Sequence, residues 1–411
     1  MTNQTLETPK PKNKYIGVLF GIYTIATMAI YILPYTKLMY PYIPVAILMM
    51  ASLPLIMFRK NEWSLYGAAL CFITFVFFCI GHWSLVDGIN DAVRNLRLFL
   101  PIIWGAYAIR NCSKKQRIFI LLGFTVVTVI ILYNSIIALE EEPWIARILA
   151  QDQNSSTDEV NEYRLRNVGG YAFSYMVGAI TVCIAWLALR LKKIWQKILC
   201  IVAVVFCYSY IIQTMYTTLL ILTTVCIFLL LIVCAKNVMT KYILLVVALG
   251  IFLGISPLLK YLGGVFSSDS LLSDKFDQMY LAVSGEGVDA LGLRPTLIKQ
   301  ALENWAKTPL LGDSYSTHAH SLFFEMLQSS GIIGTGLWIC LFSYTWCFMH
   351  KELKSNGVDP LIFNVAMIYF AALSVFNDTR YTFEITIAVF FIIPLLASVV
   401  SEKKSTTKEK D

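Results

Sequence analysis

The chain has 411 residues, 57% of them hydrophobic and only 14% charged, with a formal net charge of +7. Soluble domains carry about 25% charged residues, so a soluble globular protein is excluded. The positive balance does not indicate a nucleic-acid partner, because the basic residues are distributed in a membrane pattern.

Residues 1–14 form a short basic tail, and the first apolar run follows at 15–35. It is too long for a cleavable signal and lacks a small-residue cleavage site, so it is expected to remain as a span. A membrane helix needs roughly 20 apolar residues. Such runs recur at 38–58, 64–82, 93–110, 117–139, 168–190, 197–213, 215–235 and 242–262. They resume at 321–349, 360–377 and 381–400, ahead of a basic tail at 401–411. The fourth is the weakest, with Arg94 and Arg97 in its first turn. In hydrocarbon the backbone must satisfy its own polar groups, which makes these spans helices. The expected fold is an all-α polytopic membrane protein of about 12 transmembrane helices. Nine fall in 15–262 and three in 321–400, with a large helical external loop at 263–320 between them.

Placing the N-terminus in the cytoplasm and alternating the connections puts 21 of the 33 basic residues inside. Among them are Arg59, Lys60, Arg110, Lys114, Lys115, Lys192, Lys193, Lys236 and Lys241. The positive-inside rule then sets both termini in the cytoplasm. Nine of the ten cysteines fall in spans and Cys112 in a cytoplasmic stub, so no disulfide is expected. Their spacings, with those of the four histidines, match no metal-ligand pattern, and neither a metal nor a cofactor is expected.

Two connections are long, 140–167 and 263–320, and both fall on the outer side. Long ordered loops usually carry function, so the chemistry is expected outside, where ATP is no direct energy source. "GEGVDA" (285–290) fits a loose nucleotide-binding pattern, but no strand precedes it and it faces away from the cytoplasm. The first loop ends in "EYRLRNVGGYAF", with Arg164 and Arg166 at the outer mouth of the sixth span, against the usual charge bias. Either they pair with Glu159 or Glu162, or they form an anion site, because guanidinium groups grip phosphate bidentately.

In the second loop, "RPTLIKQALENWAK" (294–307) sets Leu297, Ile298, Ala301, Leu302 and Trp305 on one helical face, with Arg294 at its start. Such a helix lies on the membrane surface or across the bundle mouth. "STHAHSLFFEMLQSSGIIGTG" (316–336) follows, with His318 and His320 just ahead of the tenth span. A histidine there is either a headgroup-level anchor or a base, since its pKa lies near neutrality. His318 reads as a packing or secondary contact. Glu325, about one turn into the span, costs on the order of 2.5–3.5 kcal/mol to insert and so must face a cavity or a partner. Gly331, Gly334 and Gly336 suit close approach of a neighbouring helix.

His320-Ser321, nine residues, then Gly331-Ile-Ile-Gly334 resembles the signature of bacterial O-antigen ligases, a broad domain shared with O-antigen and capsule polymerases. "LRPTLIKQALENWAKTPLLGDSYS" is similar to that family's stretch of arginine, amphipathic helix and Pro-Leu-Leu-Gly, with Arg294 in the arginine position. "RNVGGYAF" is similar to its arginine-then-glycine segment, with Arg166 in that place. The matches span about 166–336. One departure is the turn "IIQTMYTTLL" (211–220), which lacks the basic residue often found there; Arg380 in "FNDTRYT" is the candidate replacement.

The resemblance implies a GT-C-like glycosyltransferase architecture and a donor glycan on undecaprenyl pyrophosphate. The glycan passes to a hydroxyl of a glycan, lipid or protein acceptor on the outer face of a bacterial inner membrane. Arg166, Arg294, Arg164, His318 and Arg380 would bind substrate, and His320 would serve as general base or acceptor guide. Arginines aimed at the diphosphate would stabilise its growing charge where water is scarce, without metal or nucleotide. Two rivals stand beside this reading. A repeat-unit polymerase needs the same donor site. A polysaccharide transporter or flippase fits the span count, but transporters place charges near the midplane, whereas the ionisable residues here cluster at the outer ends.

Overall fold

The computed structural model describes residues 14–35, 61–79, 98–99, 101–151, 158–214, 216–265, 271–284, 293–313, 321–377, 379 and 382–401. The second apolar run, 38–58, lies outside the described residues. Among those described there is no strand. In chain order the helices are α1 (Lys14–Ile32), α2 (Asn61–Cys79), α3 (101–111), α4 (Lys114–Glu141), α5 (Ile145–Gln151) and α6 (Asp158–Leu165). Next come α7 (Tyr171–Arg190), α8 (Ile194–Gln213), α9 (Thr217–Cys234), α10 (Val238–Leu253), α11 (Ile255–Val265), α12 (Leu271–Ser284) and α13 (Leu293–Lys307). The chain closes with α14 (Leu322–Ser355), α15 (Leu361–Phe376) and α16 (Phe383–Ser401).

Six of these are long and apolar enough to cross a membrane: α4, α7, α8, α9, α14 and α16. Three shorter apolar helices, Val18–Ile32, Val238–Gly250 and Leu361–Phe376, lie beside them. The protein is thus a helical membrane protein. The run expected as one span at 242–262 is broken at Gly254, where α10 ends and α11 begins. The cause is Pro257, which has no N–H to donate and whose ring would strike the Leu253 carbonyl in a continuous helix.

The core forms around α16. Residues 382–395 are buried on every face, as expected of a helix apolar all round. Its middle, Ala388–Ile392, is a π-turn. Gly105 of α3 rests against it so closely that a Cβ there would sit 2.5 Å from the Phe390 carbonyl oxygen. Trp104 beside it packs edge-on against Phe383 and Phe391, with ring centroids 6.3 and 6.1 Å away. Buried hydroxyls survive in this core by bonding their own helix, as Ser135 does to the Ile131 carbonyl and Thr181 to that of Val177.

Local signals fix the ends at one side of the bundle. Ser113 and Gln116 cap α4 reciprocally, the Ser113 N–H donating to Gln116 Oε1 at 2.8 Å. α14 closes with Gly357 at φ 70°, the Gly357 N–H donating to the Lys354 carbonyl and Val358 N–H to that of Leu353. Arg110 at the end of α3 forms a two-pronged ion pair with Glu352 of α14, whose side chain is 2% exposed. Cys112, two residues past Arg110, is buried, and burial pushes its thiol up from 9.0 to about 12 despite the nearby Arg117 charge. Below that pH the thiol stays protonated and poorly nucleophilic. Iodoacetamide at pH 8 should therefore label Cys112 at least tenfold more slowly than an unfolded-chain thiol. Mass spectrometry of the native and denatured protein measures the ratio, and equal labelling would contradict the burial.

α14 is not one straight rod. Gly331 stands at φ 60°, ψ −168°, outside the helical region, and divides it into two arms. The second arm, 332–355, runs antiparallel to α15: Phe342 stacks on Phe370 at 5.8 Å, and Trp346 Nε1 donates to Asn364 Oδ1. Counted outward from that stack, Gly331 falls just past the end of α15. A straight continuation would carry Leu322 a further ~13 Å outward. Instead the Leu322 N–H donates to the Asn377 carbonyl, one residue past α15, at 3.2 Å. The first arm therefore folds back over the end of the bundle. The second arm, about 36 Å long, suffices to cross a hydrocarbon core of ~30 Å. The run expected as one span at 321–349 is thus kinked at Gly331, and Glu325 lies in the arm before the kink.

Candidate functional site

The end of the bundle where α7, α9, α14 and α16 begin collects the segments singled out from the sequence. Arg166 lies in the turn after α6. Its Nη2 donates to Glu141 Oε2 at 2.6 Å, and its guanidinium stands 5.6 Å over the Tyr163 ring. Glu159 and Glu162 were weighed as partners for the two arginines, and the side chain of Glu159 lies outside those described; the carboxylate found on Arg166 is Glu141, at the C-terminus of α4. A carboxylate there opposes the helix dipole, and the guanidinium offsets it. Arg166 remains 36% exposed, so it is oriented without being enclosed. Arg164, in the last turn of α6, is half-buried and engaged by neighbouring groups.

The same turn is pinned on both sides. Asn167, at φ 57°, accepts the Tyr35 N–H on its Oδ1 at 3.1 Å. The Gly169 N–H donates to Ser135 Oγ at 2.8 Å, and a Cβ at Gly169 would stand 2.3 Å from the Phe173 ring. Immediately beyond, Tyr171 and Tyr175 of α7 meet Tyr216 at the start of α9, with ring centroids 4.7 to 6.0 Å apart. The Tyr216 hydroxyl donates to the Ala146 carbonyl of α5. Asn377 Nδ2 donates to the Tyr175 hydroxyl at 3.2 Å, while its carbonyl holds Leu322. One asparagine thus ties the starts of α7 and α14 to the turn between α15 and α16.

A second tie joins the two stretches that carry the family resemblance. The segment 308–313 docks against the break in α14. Ile332 N–H donates to the Pro309 carbonyl at 2.9 Å, Ile333 N–H to that of Leu310 at 3.2 Å, and Asp313 N–H to that of Gln328 at 3.2 Å. Breaking the helix at Gly331 strands these groups, and the loop satisfies them, as buried backbone requires. The fit depends on two glycines. A Cβ on Gly331 would lie 2.4 Å from the Leu310 carbonyl group, and one on Gly312, at φ 75°, would lie 2.4 Å from the Ser329 backbone. The glycines were expected to admit a neighbouring helix; at Gly331 the neighbour is the turn at 308–312, closed by the Gly312 N–H donating to the Thr308 carbonyl. Asp313 is held there by its backbone N–H.

α13 leads into this loop. Of its expected apolar face, Leu297, Ile298, Ala301 and Trp305 turn inward, Ala301 fully, while Leu302 lies at the edge at 37% exposure. Arg294 belongs to its first turn, and nothing of its side chain is described. His318, His320 and Arg380 lie outside the described residues. What is described around them is the residue after His320, Ser321, 2% exposed, and the residues flanking Arg380: Thr379 and Thr382, both buried.

Among the buried polar side chains at this end are Glu325 at 1% and Gln328 at 0% exposure in the first arm of α14, and Glu384 at 3% in the first turn of α16. Glu325 and Glu384 are engaged by neighbouring groups, as buried charge demands, and Gln328 is engaged too, though its Nε2 finds no hydrogen-bond partner among the described residues. Glu384 was not singled out from the sequence, although the signal was there: it is the one ionisable residue in the run 381–400. No protein-family model and no curated protein matches this chain.

Proposed function

We propose that the protein is a membrane glycan transferase of the O-antigen ligase type, with about twelve spans, a GT-C-like architecture and its active site outside a bacterial inner membrane. The donor is a glycan on undecaprenyl pyrophosphate and the acceptor a hydroxyl of a glycan or lipid. That hydroxyl oxygen attacks the anomeric carbon, and the bond from that carbon to the diphosphate breaks. The electron pair leaves on the diphosphate, which Arg166 and Arg294 stabilise, and the acceptor proton passes to the imidazole of His320. A leaving group of this kind makes nucleotide and metal unnecessary.

The observation that supports this reading most directly is the docking of 308–313 onto 328–333, which makes one unit of two stretches resembling the family's motif. The tie through Asn377 joins the start of α7, which follows the Arg166 turn, to the start of α14. The test is transfer by purified protein from a lipid diphosphate-linked glycan to defined acceptors. Arg166→Ala and Arg294→Ala should each lower the rate at least 100-fold, and the lysine variants nearly as much, because the two-pronged grip is lost. Full activity in both lysine variants contradicts that grip, and no transfer by the unaltered protein to any acceptor contradicts the function. Product length separates ligase from polymerase: a single transfer of the whole glycan marks the first, a ladder of repeats the second.

A further inference from the structure

At the opposite end of the bundle, α7 passes to α8 and α9 to α10 through two short turns, 191–193 and 235–237. The turns are neighbours, since Cys234 at the end of α9 lies within electrostatic reach of Arg190 at the end of α7 and of Asp359. Arg190 is neutralised by Asp359, whose other oxygen accepts the Leu361 N–H. Lys192, Lys193, Lys197, Lys236 and Lys241 form no ion pair among the described residues. No acidic residue occurs in sequence between Glu162 and Asp269, and the carboxylate that does reach this corner, Asp359, is taken by Arg190. Next to these lysines, Trp195 is 58% and Tyr242 63% exposed. Ile198 and Leu199 of α8 and Met239 and Ile243 of α10 are also turned outward.

A cluster of like charges without counter-charge repels itself, so five lysines in one corner call for anions. Tryptophan and tyrosine settle at the headgroup level of a bilayer, which places that level at Trp195 and Tyr242, among the lysines. We propose that this corner binds anionic phospholipid. The headgroup phosphates lie between the two turns, against the lysines, and the acyl chains run along the apolar faces of α8 and α10. Neutral lipid would cover those faces and leave the charge unmet. A soluble acidic partner would meet the charge and leave the faces bare.

The probe is brominated lipid, which quenches nearby tryptophan, with the protein in phosphatidylcholine vesicles. Brominated phosphatidylglycerol should quench at a mole fraction on the order of tenfold lower than brominated phosphatidylcholine, since each lysine at an anionic surface contributes roughly fivefold. Combining Lys192→Gln, Lys193→Gln, Lys236→Gln and Lys241→Gln should bring the ratio close to one, and Trp195→Phe should remove the selective component. If the fourfold variant folds poorly, 1 M salt on the unaltered protein replaces it and should likewise abolish selectivity. An unchanged ratio in the fourfold variant or in salt, or a selective component that survives Trp195→Phe, overturns the proposal. Reversal by millimolar glycerol phosphate would also overturn it, by assigning the corner to free anions.

Discussion

Gly331→Ala is expected to destabilise the protein by about 4 kcal/mol and to abolish activity with it. The backbone there, at φ 60° and ψ −168°, lies in a region almost reserved for glycine, which alone costs another residue roughly 1–3 kcal/mol. The added methyl would also stand 2.4 Å from the Leu310 carbonyl group. Relieving that contact means moving the loop and losing its bonds to Ile332 and Ile333, a further cost of roughly 1–3 kcal/mol. Gly336→Ala is the control, since no atom lies within 4 Å of a Cβ there. Unfolding midpoints in lipid nanodiscs measure both. Similar midpoints for the two variants would mean that α14 runs straight through Gly331.

The second large effect is expected at the opposite end. Arg110→Ala leaves Glu352 buried and without its main counter-charge, with Asn356 Nδ2 still donating to Oε1 at 3.0 Å. Breaking a buried pair from one side costs about 3–5 kcal/mol, whereas replacing both partners by apolar residues of similar size is often nearly neutral. Arg110→Ala should therefore lower stability severely, and Arg110→Met with Glu352→Leu should recover most of the loss. A double-mutant cycle of unfolding free energies reads the coupling. Additive losses would show that the pair does not act as a unit.

The sequence conveyed the membrane class directly, because hydrocarbon admits few alternatives. The runs 117–139 and 168–190 became α4 and α7 with ends shifted by a few residues, and Gly357 marked a helix stop that its left-handed φ explains. The break at Gly254 was legible too, in a Gly-Ile-Ser-Pro string that hydropathy averaging passed over. The break at Gly331 was not, since "SSGIIGTG" is apolar and helix-compatible, and only the docking of a segment some twenty residues upstream fixes its conformation. The partner of Arg166 was missed for a related reason. Near neighbours in sequence, Glu159 and Glu162, were weighed, whereas folding delivers Glu141 from the end of another helix. Of the segments proposed to act, the turn carrying Arg164 and Arg166 and the start of α14 belong to one end of the bundle, while His318, His320 and Arg380 lie outside the described residues.

The most direct measurement is an experimental structure of the protein with a lipid diphosphate donor bound. Arg166 and Arg294 are expected on the diphosphate oxygens, with the His320 imidazole open to an incoming hydroxyl beside the anomeric carbon. A donor held elsewhere, or these three side chains opening into separate compartments, would contradict the account.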